Sequence, residues 1–489
     1  MTEVELKLAV LAHAPAQLPR RLALLPWLAG CSPQRQHLHN TYYDTPEHHL
    51  LRSGVVLRVR RVGNGARAIW LQTLKTGEGR LSALSRRGEW ESRLDQPEPS
   101  TQALAGTPWA GIDADGTIFA RLQPCFCTEF RRTRWMVQLA DAGEVEVALD
   151  LGQIVAGQRR APICELELEL KSGQVAGLFE IAQKVAQTLP VIPSGASKSE
   201  RGYRLAGASM PAGSNRHGAM TPDVLARTAL QSAFHQFTSH LIAMCGDDDP
   251  ELVHQARVAW RRFRSARRLF RSILIPQFPD IRTGLQPLLD QLGALRDLDV
   301  ARTETLPAMV DLYVAGNPER AGRWQRMMGQ LSARGAHSRA AVQRTLEQAA
   351  TGEALLHVTH WLESLAPENP TSENPALDRA WAKRRLRSLR KALREVQECA
   401  DDEAHLHRAR ILAKRLRYGV EMLRPLLPAL RAQRWHRLAV RIQTTIGDQR
   451  DAAQAAVLVQ GLPGQTPIAE FLRGHATAVV RTREHSPRT

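Results

Sequence analysis

The sequence predicts a multidomain α and β chain: an antiparallel β domain that closes into a barrel, then an all-α domain built from two repeated helical bundles. Three observations predict it. Before residue 206, short segments alternate charged and apolar residues and are punctuated by turns such as "GNG" and "TGEG". From residue 221 the apolar spacing becomes helical. Within that helical part, two motifs recur in the same order.

The strand segments are "VELKLAV", "VVLRVRRV", "AIWLQTLK", "RGEWESRL", "RRTRWMVQL", "EVEVALDLG" and "ICELELELK", with helical stretches around 15–29 and 173–189. Residues 1–205 form the β domain and 206–220 a Gly/Pro/Ala-rich linker, closed by Thr221 as N-cap and Pro222 at the first helical position. The helical domain spans 221–485, and "APENPTSENPAL" (366–377) separates its halves at about 221–365 and 378–485. "VHQARVAWRRFRSARRLF" (253–270) matches "LHRARILAKRLRYGVEML" (406–423), and "LGALRD" (292–297) matches "IGDQRD" (446–451).

At 489 residues the chain is long enough for two to four domains with real cores, and its 43% apolar content is that of a folded protein. The net charge of +17 points to a polyanionic partner. It is uneven: the first 205 residues hold 25 Lys and Arg against 21 Asp and Glu, the remainder 41 against 28. Six scattered cysteines without a CxxC pair suit a reducing compartment. No apolar run approaches the roughly 20 residues of a membrane span, and acids occupy the N-terminus where a signal peptide needs bases. The expectation is a cytoplasmic protein without membrane association.

On each β segment the charges share one face because side chains alternate. Glu3, Glu5 and Lys7 do so, as do Arg58 and Arg60, Glu89 and Glu91, Arg132 and Arg134, and Glu146 and Asp150. Glu165, Glu167, Glu169 and Lys171 form the densest row. A solvated sheet face explains any single strand. The recurrence on strand after strand favours an enclosed face instead. Carboxylates about 7 Å apart along a strand repel by about 2.4 kcal/mol per pair at an effective dielectric near 20, so enclosing them demands cations. Divalent metals with oxygen ligands supply such cations. The sharp reading is an inside-out barrel, with apolar side chains outside and a charged lumen suited to metal-assisted phosphoryl transfer to water.

Residues 1–205 resemble a CYTH domain, the triphosphate tunnel metalloenzyme family. "EVELK" is similar to its ExExK signature, and "NTYYDTP", "VVLRVRR", "QTLK", "CELELEL" and "SKSERGY" follow in the family's order. The resemblance implies an eight-stranded antiparallel tunnel that hydrolyses a triphosphate with Mg²⁺ or Mn²⁺. Glu3, Glu5, Glu167 and Glu169 would bind metal, with Glu165, Glu146 and Glu89 as secondary candidates. Arg58, Arg60, Lys75, Arg87, Arg132 and Lys198 would grip phosphate, with Arg134 in phase with Arg132; Lys7 would position or activate water. Tyr43 and Asp44 fall in a motif read as structural. Inorganic triphosphate is the expected substrate, because no aromatic clamp for an organic group stands out. Thiamine triphosphate, nucleoside triphosphates, RNA 5′-triphosphate and cyclase chemistry on ATP stay open.

On the 253–270 helix, His254, Arg257, Arg261 and Arg264 fall within an arc of about 80°. His407, Arg410, Lys414 and Arg417 repeat the stripe. A solvated face is the plain alternative, but two acid-poor stripes of like charge suggest an anionic ligand. A His-based metal site lacks the second His or carboxylate at i+3 or i+4 that it needs. This part resembles a CHAD domain, through "VHQARVAWRRFR", "LRDLDVAR" and "HRARILAKRLRY". The resemblance implies two four-helix bundles related by a pseudo-twofold, with a groove for inorganic polyphosphate; the whole resembles bacterial CYTH-CHAD inorganic triphosphatases. Ala453 stands where the first copy has Asp299, so the copies are not equivalent. A polyanion-binding protein with weak tunnel activity is the alternative. Nucleic acid is disfavoured, since the arginines lack interleaved aromatics for base stacking.

Overall fold

The structure, a computed structural model, describes residues 2–65, 68–77, 82–140, 143–209, 222–272, 274, 277–365, 379–398 and 403–484, with backbone alone at 222–223, 397–398, 403, 406–407, 445–450 and 477–484. The linker beyond 209 with its Thr221 cap, the 366–377 segment, the side chain of His407 and most of the "IGDQRD" motif lie outside the described residues. By internal contacts the chain divides into two units: Met1–His217 with Glu347–Glu363, and Gly218–Leu346 with Ser364–Thr489.

The first unit holds strands β1 (Thr2–Val10), β2 (Gln34–Asp44), β3 (Val55–Val62), β4 (Ile69–Thr76), β5 (Leu84–Leu94), β6 (Gln123–Gln138), β7 (Glu144–Ala156), β8 (Arg159–Ser172) and β9 (Val191–Pro193). They run β5-β4-β3-β2-β6-β7-β8-β1, and β5 pairs back onto β1, so eight antiparallel strands close a barrel. The short β9 pairs with Leu8–Val10 of β1, beyond the stretch of β1 that β5 covers. Helices α1 (Leu18–Ala23), α2 (His49–Arg52), α3 (Trp109–Ile112), α4 (Val175–Ala186) and α5 (Lys198–Leu205) flank it.

All seven segments read as strands coincide with barrel strands, with Ala68 and Leu139 one residue outside β4 and β6. The stretch expected as a helix over 15–29 is shorter. A 3₁₀ turn at Pro15–Gln17 leads into α1, and turns follow because Pro26 cannot continue a helix. The barrel is inside out. Leu6, Leu8, Leu84, Val147, Leu149, Leu166 and Leu168 form its buried outer layer with Leu178, Ile181 and Val185 of α4.

The second unit contains α6 (Pro222–Ala243), α7 (Pro250–Leu269), α8 (Arg282–Val300), α9 (Val310–Val314) and α10 (Pro318–Leu346). After α11 (Ala349–Ser364), it continues with α12 (Arg379–Glu398), α13 (Glu403–Leu423), α14 (Ala429–Gln460) and α15 (Thr466–Glu484). Asp249 caps α7 by accepting the Glu251 N–H, with Pro250 at the first helical position. Its buried residues, among them Ala256, Ala259, Phe263 and Ala266, are the apolar side of the predicted wheel. The two halves share a core: Leu298, Met309, Trp324 and Leu331 pack with Ala455, Val459, Ile468 and Leu472.

Residues 347–363 join the first unit, although they fall in the stretch expected to form the helical domain. Leu356 of α11 is fully buried in the barrel's outer core, and His360 stacks on Phe179 at 4.4 Å. Gly352 permits this approach: a Cβ there would stand 3.0 Å from the Val191 carbonyl oxygen.

Candidate functional site

The barrel registers bring the charged rows together inside. Opposite each other stand Glu5 and Glu169, Lys7 and Glu167, Lys75 and Glu89, Arg132 and Asp150, and Glu146 and Glu169. Glu3 faces Arg87 across β1 and β5. Glu5, Lys7, Glu146 and Glu165 are each about 5% exposed and Asp150 not at all, so the charged face is enclosed. The inward rows then turn apolar. Phe130 precedes Arg132, Ile163 precedes Glu165 and Ile154 lies beyond Asp150; they cluster with Tyr42, Phe126 and Tyr203 and seal that stretch of lumen.

Helix α5 completes the wall there. A capping box of Ser197 and Glu200 fixes its start, and Lys198 is its first residue. The Lys198 ammonium lies 2.6 Å from Asp150, 2.5 Å from Glu165 and 2.9 Å from Glu167, and 5.0 Å from the Phe130 ring centroid. Arg132 donates to both Asp150 oxygens, at 2.8 and 2.7 Å, and also to Glu167. Asp44, fully buried, accepts from the amides of Thr45, Leu50 and Leu51 and from the Tyr203 hydroxyl, so it anchors the corner after β2 to α5.

At the other group, Lys75 reaches Glu3 at 2.7 Å and Glu89 at 3.2 Å, while Arg58 reaches Glu89 at 3.4 Å. Lys7 donates to Glu5 at 2.5 Å, and so does the Ser85 hydroxyl at 3.0 Å. Arg134 bonds Gln34 and pairs with Glu146 at 3.3 Å; Lys171 pairs with Glu169 at 2.6 Å. Arg58 and Arg87 each keep a buried Nε that makes no hydrogen bond.

The lumen's electrostatics follow from burial and pairing. Burial opposes the Glu167 charge, but Lys198, Arg132 and Lys7 outweigh it and hold the carboxyl well below its usual range. Burial and Arg58 oppose the Lys75 charge; Glu3, Glu5 and Glu89 prevail and raise it. Arg60 is pushed down to about 10 by burial, with Arg58 and Arg132 adding to the effect. Glu169 moves up: burial and the like charges of Glu3 and Glu146 exceed what Lys171 offsets.

In the helical unit, α7 packs on α13, and the stripe residues other than His407, whose side chain lies outside the described residues, are half-buried or exposed. Gly293, on α8, leaves room for the Arg257 guanidinium: a Cβ there would stand 2.9 Å from its Nη1. Arg417 pairs with Glu421 at 3.1 Å. Arg261 Nε is buried without a hydrogen bond. His254 is held below its ordinary value by burial and then by Arg296. Asp299 is fully buried and accepts from Arg339 at 3.3 Å, whereas Ala453 is exposed.

Residues 1–203 match the model of the CYTH domain, and residues 228–460 that of the CHAD domain. The chain carries a CYTH domain followed by a CHAD domain. It is 37% identical over 207 residues to an inorganic triphosphatase of Haemophilus influenzae, spanning 42% of this chain and 55% of that relative's length. Among solved structures, it is similar to the CHAD domain from the plant Ricinus communis (25% identity, TM-score 0.46, 54% of this chain and 88% of that one). It is also similar to HpAC1 from Hippeastrum, described with a dominant triphosphatase activity (21% identity, TM-score 0.28, 43% of this chain and 98% of that one).

Within the CYTH domain, the sequence left several lumen residues out of the candidate set. Asp150 is in phase with Glu146 in the sequence but lies outside the candidate set. Arg201, three residues after Lys198, pairs with Glu165 at 2.9 Å. Asn40 accepts from Arg60 at 2.8 Å. Asn40 lies on β2, whose "QRQHLHNTYYD" lacks acid–base alternation and was not read as a strand. Arg132, not Arg131, faces inward. Among the described residues, the one carboxylate trio with ligand oxygens within 4.8 Å of one another is Asp150, Glu165 and Glu167. The Lys198 ammonium already occupies the centre of that trio. Glu169, beside Glu3 and Glu146, is the carboxylate left short of positive charge, and hard oxygen donors of this kind fit Mg²⁺ or Mn²⁺.

Proposed function

We propose that the chain hydrolyses inorganic triphosphate to diphosphate and phosphate inside the CYTH barrel, with a divalent cation, Mg²⁺ or Mn²⁺. The observation that carries this reading is an enclosed lumen with two unlike walls. One wall presents the half-buried Arg58 and Arg87, whose buried Nε donors are unused, with Arg60 and Lys75 beside them. The other presents Glu3, Glu5, Glu146 and Glu169. The likeness to the inorganic triphosphatase supports the same reaction.

Glu3, Glu5 and Glu169, with Glu167, would hold the metal. When bound, it supplies positive charge to the phosphate oxygens and a polarised water. The chain's own residues do the rest. Arg58, Arg60, Lys75 and Arg87 bind and straighten the phosphate chain, and Arg132 and Lys198 meet it from the far wall. Lys7, fixed by Glu5, keeps donors to orient the attacking water. The apolar cluster behind Phe130 excludes bulk water there. Phosphoryl transfer depends mainly on such positioning and charge stabilisation, so it needs no strong base.

The CHAD domain binds inorganic polyphosphate through His254, Arg257, Arg261, Arg264, Arg410, Lys414 and Arg417, with His407 in the matching sequence position. The scarcity of carboxylates along these stripes supports that role. The free thiols of Cys31, Cys125, Cys127, Cys164 and Cys245 support a cytoplasmic setting. Among the described residues no helix is long and apolar enough to cross a membrane.

A substrate panel tests the reading. Phosphate release is followed from triphosphate, ATP, thiamine triphosphate and long polyphosphate with Mg²⁺ and with Mn²⁺. Triphosphate should give the highest kcat/KM and show no turnover without metal. Preference for an organic triphosphate, or release that survives chelation, would overturn it.

A further inference from the structure

The repeat in the helical unit is asymmetric at one contact. His254 matches His407, an offset of 153 positions, so Arg262 corresponds to Arg415 and Arg268 to Glu421. Where α7 meets α13, Arg262 pairs with Glu421 at 3.4 Å. The repeat-related contact sets Arg415 against Arg268, two guanidiniums. Burial, followed by the charges of Arg268 and Arg264, holds Arg415 below its ordinary value. Nearby, Arg267 sits over the Phe278 ring at 4.2 Å and feels Arg264, Arg268 and Arg271.

Beside this uncompensated contact lies a cavity of about 530 Å³. Arg268, Leu269, Arg271 and Ser272 line it from the end of α7, Trp381 and Arg385 from the start of α12. Among the described residues, Arg268, Arg271 and Arg385 have no carboxylate partner. Phe270 stacks behind the Trp381 indole at 6.0 Å, with the rings inclined by 22°. The α12 share of this charge has no counterpart in the first copy. Helix α12 carries eight Lys and Arg, while its counterpart α6 carries Arg227 alone.

We infer that this cavity is a second anion site, built for a nucleoside polyphosphate: Arg268, Arg271 and Arg385 take the phosphates and Trp381 packs on the base. Guanidinium forks match phosphate oxygens, and an indole face stacks on any base. The volume lies within the range of about 300–1,000 Å³ usual for small-molecule sites. An inorganic chain offers no apolar or aromatic surface to the Leu269 and Trp381 part of the lining. None of the lining residues is among those assigned to polyphosphate, and the site does not depend on hydrolysis in the barrel.

The test uses the full chain with Arg58→Ala and Arg60→Ala in the barrel, titrated calorimetrically at fixed salt with ATP, inorganic triphosphate and adenosine. ATP should bind, and adenosine at least tenfold more weakly. Arg268→Glu should weaken ATP at least tenfold and at the same time raise Tm, because it gives Arg415 the partner that Arg262 has in Glu421. Arg385→Ala should weaken ATP without altering Tm. Trp381→Ala should weaken ATP more than triphosphate. In the otherwise unaltered chain, Arg385→Ala should leave triphosphate hydrolysis unchanged. ATP affinity unchanged from the parent in both Arg268→Glu and Arg385→Ala would overturn the site. Triphosphate binding as tightly as ATP and indifferent to Trp381→Ala would overturn the nucleotide assignment.

Discussion

The barrel lumen and the basic faces of the helical unit both concentrate cations, but they neutralise them in opposite ways. In the lumen, Lys198 has three carboxylates within reach, Arg132 two, and Lys75 two. On α7 and its surroundings, guanidiniums face guanidiniums, and Glu421 stands out as the acid that breaks the pattern. A matched site holds its geometry when empty and exchanges internal partners for a ligand's oxygens, which suits turnover. An unmatched site is relieved by a bound anion, which suits retention.

The comparison can be broken by mutation. Glu5→Ala and Glu167→Ala should each lower metal-dependent phosphate release by at least about 10²–10³-fold while circular dichroism stays native, since each removes a charge that organises the reacting centre. Full activity in both would remove the lumen from the mechanism. Arg132→Met should destabilise the first unit by about 3–5 kcal/mol in urea unfolding, because Asp150 and Glu167 lose a buried partner. The same change at Arg261, which has no carboxylate partner among the described residues, should stay within about 0.5 kcal/mol. A large cost at Arg261 would mean the two regions are not opposites.

Salt and pH sharpen the contrast further. Raising salt from about 50 to 200 mM should weaken polyphosphate binding more than tenfold and change the triphosphate KM less, because enclosed pairs are screened less. The smallest effect concerns His254. Its pKa is lowered, so the ring is neutral at pH 7 and gains charge as pH falls below its ordinary value of about 6.5. Arg296 and Arg261 oppose that charge, and Glu251 and Glu304 favour it. Polyphosphate affinity should rise about fivefold on acidification, and His254→Gln should abolish the rise.

The barrel was legible because enclosing charge forces a simple alternation, and seven strands carried it. β2 escaped, since its inward Asn40 and Tyr42 are neutral. The sequence places Lys198 in the lumen as a candidate phosphate ligand, but its seat among Asp150, Glu165 and Glu167 is not encoded there. That seat depends on a helix folding over the barrel, a relation that no local spacing encodes. The same holds for Glu363, which accepts from the Ser82 hydroxyl at 2.5 Å and pairs with Arg86 at 3.3 Å. The 153-residue offset of the repeat was plain in the sequence. The missing acid opposite Arg415 became visible only once α7 and α13 were seen to pack.

Helix α11 also sets an order of events at the ribosome. The last barrel strand and α5 are made well before Leu356, which is buried in the barrel's outer core. At about 5–20 residues per second, the nascent barrel spends roughly 10–30 s without that helix. Through that interval the apolar surface beneath Leu356 and His360 faces water, and a chaperone or a neighbouring nascent chain is the competitor that α11 must displace.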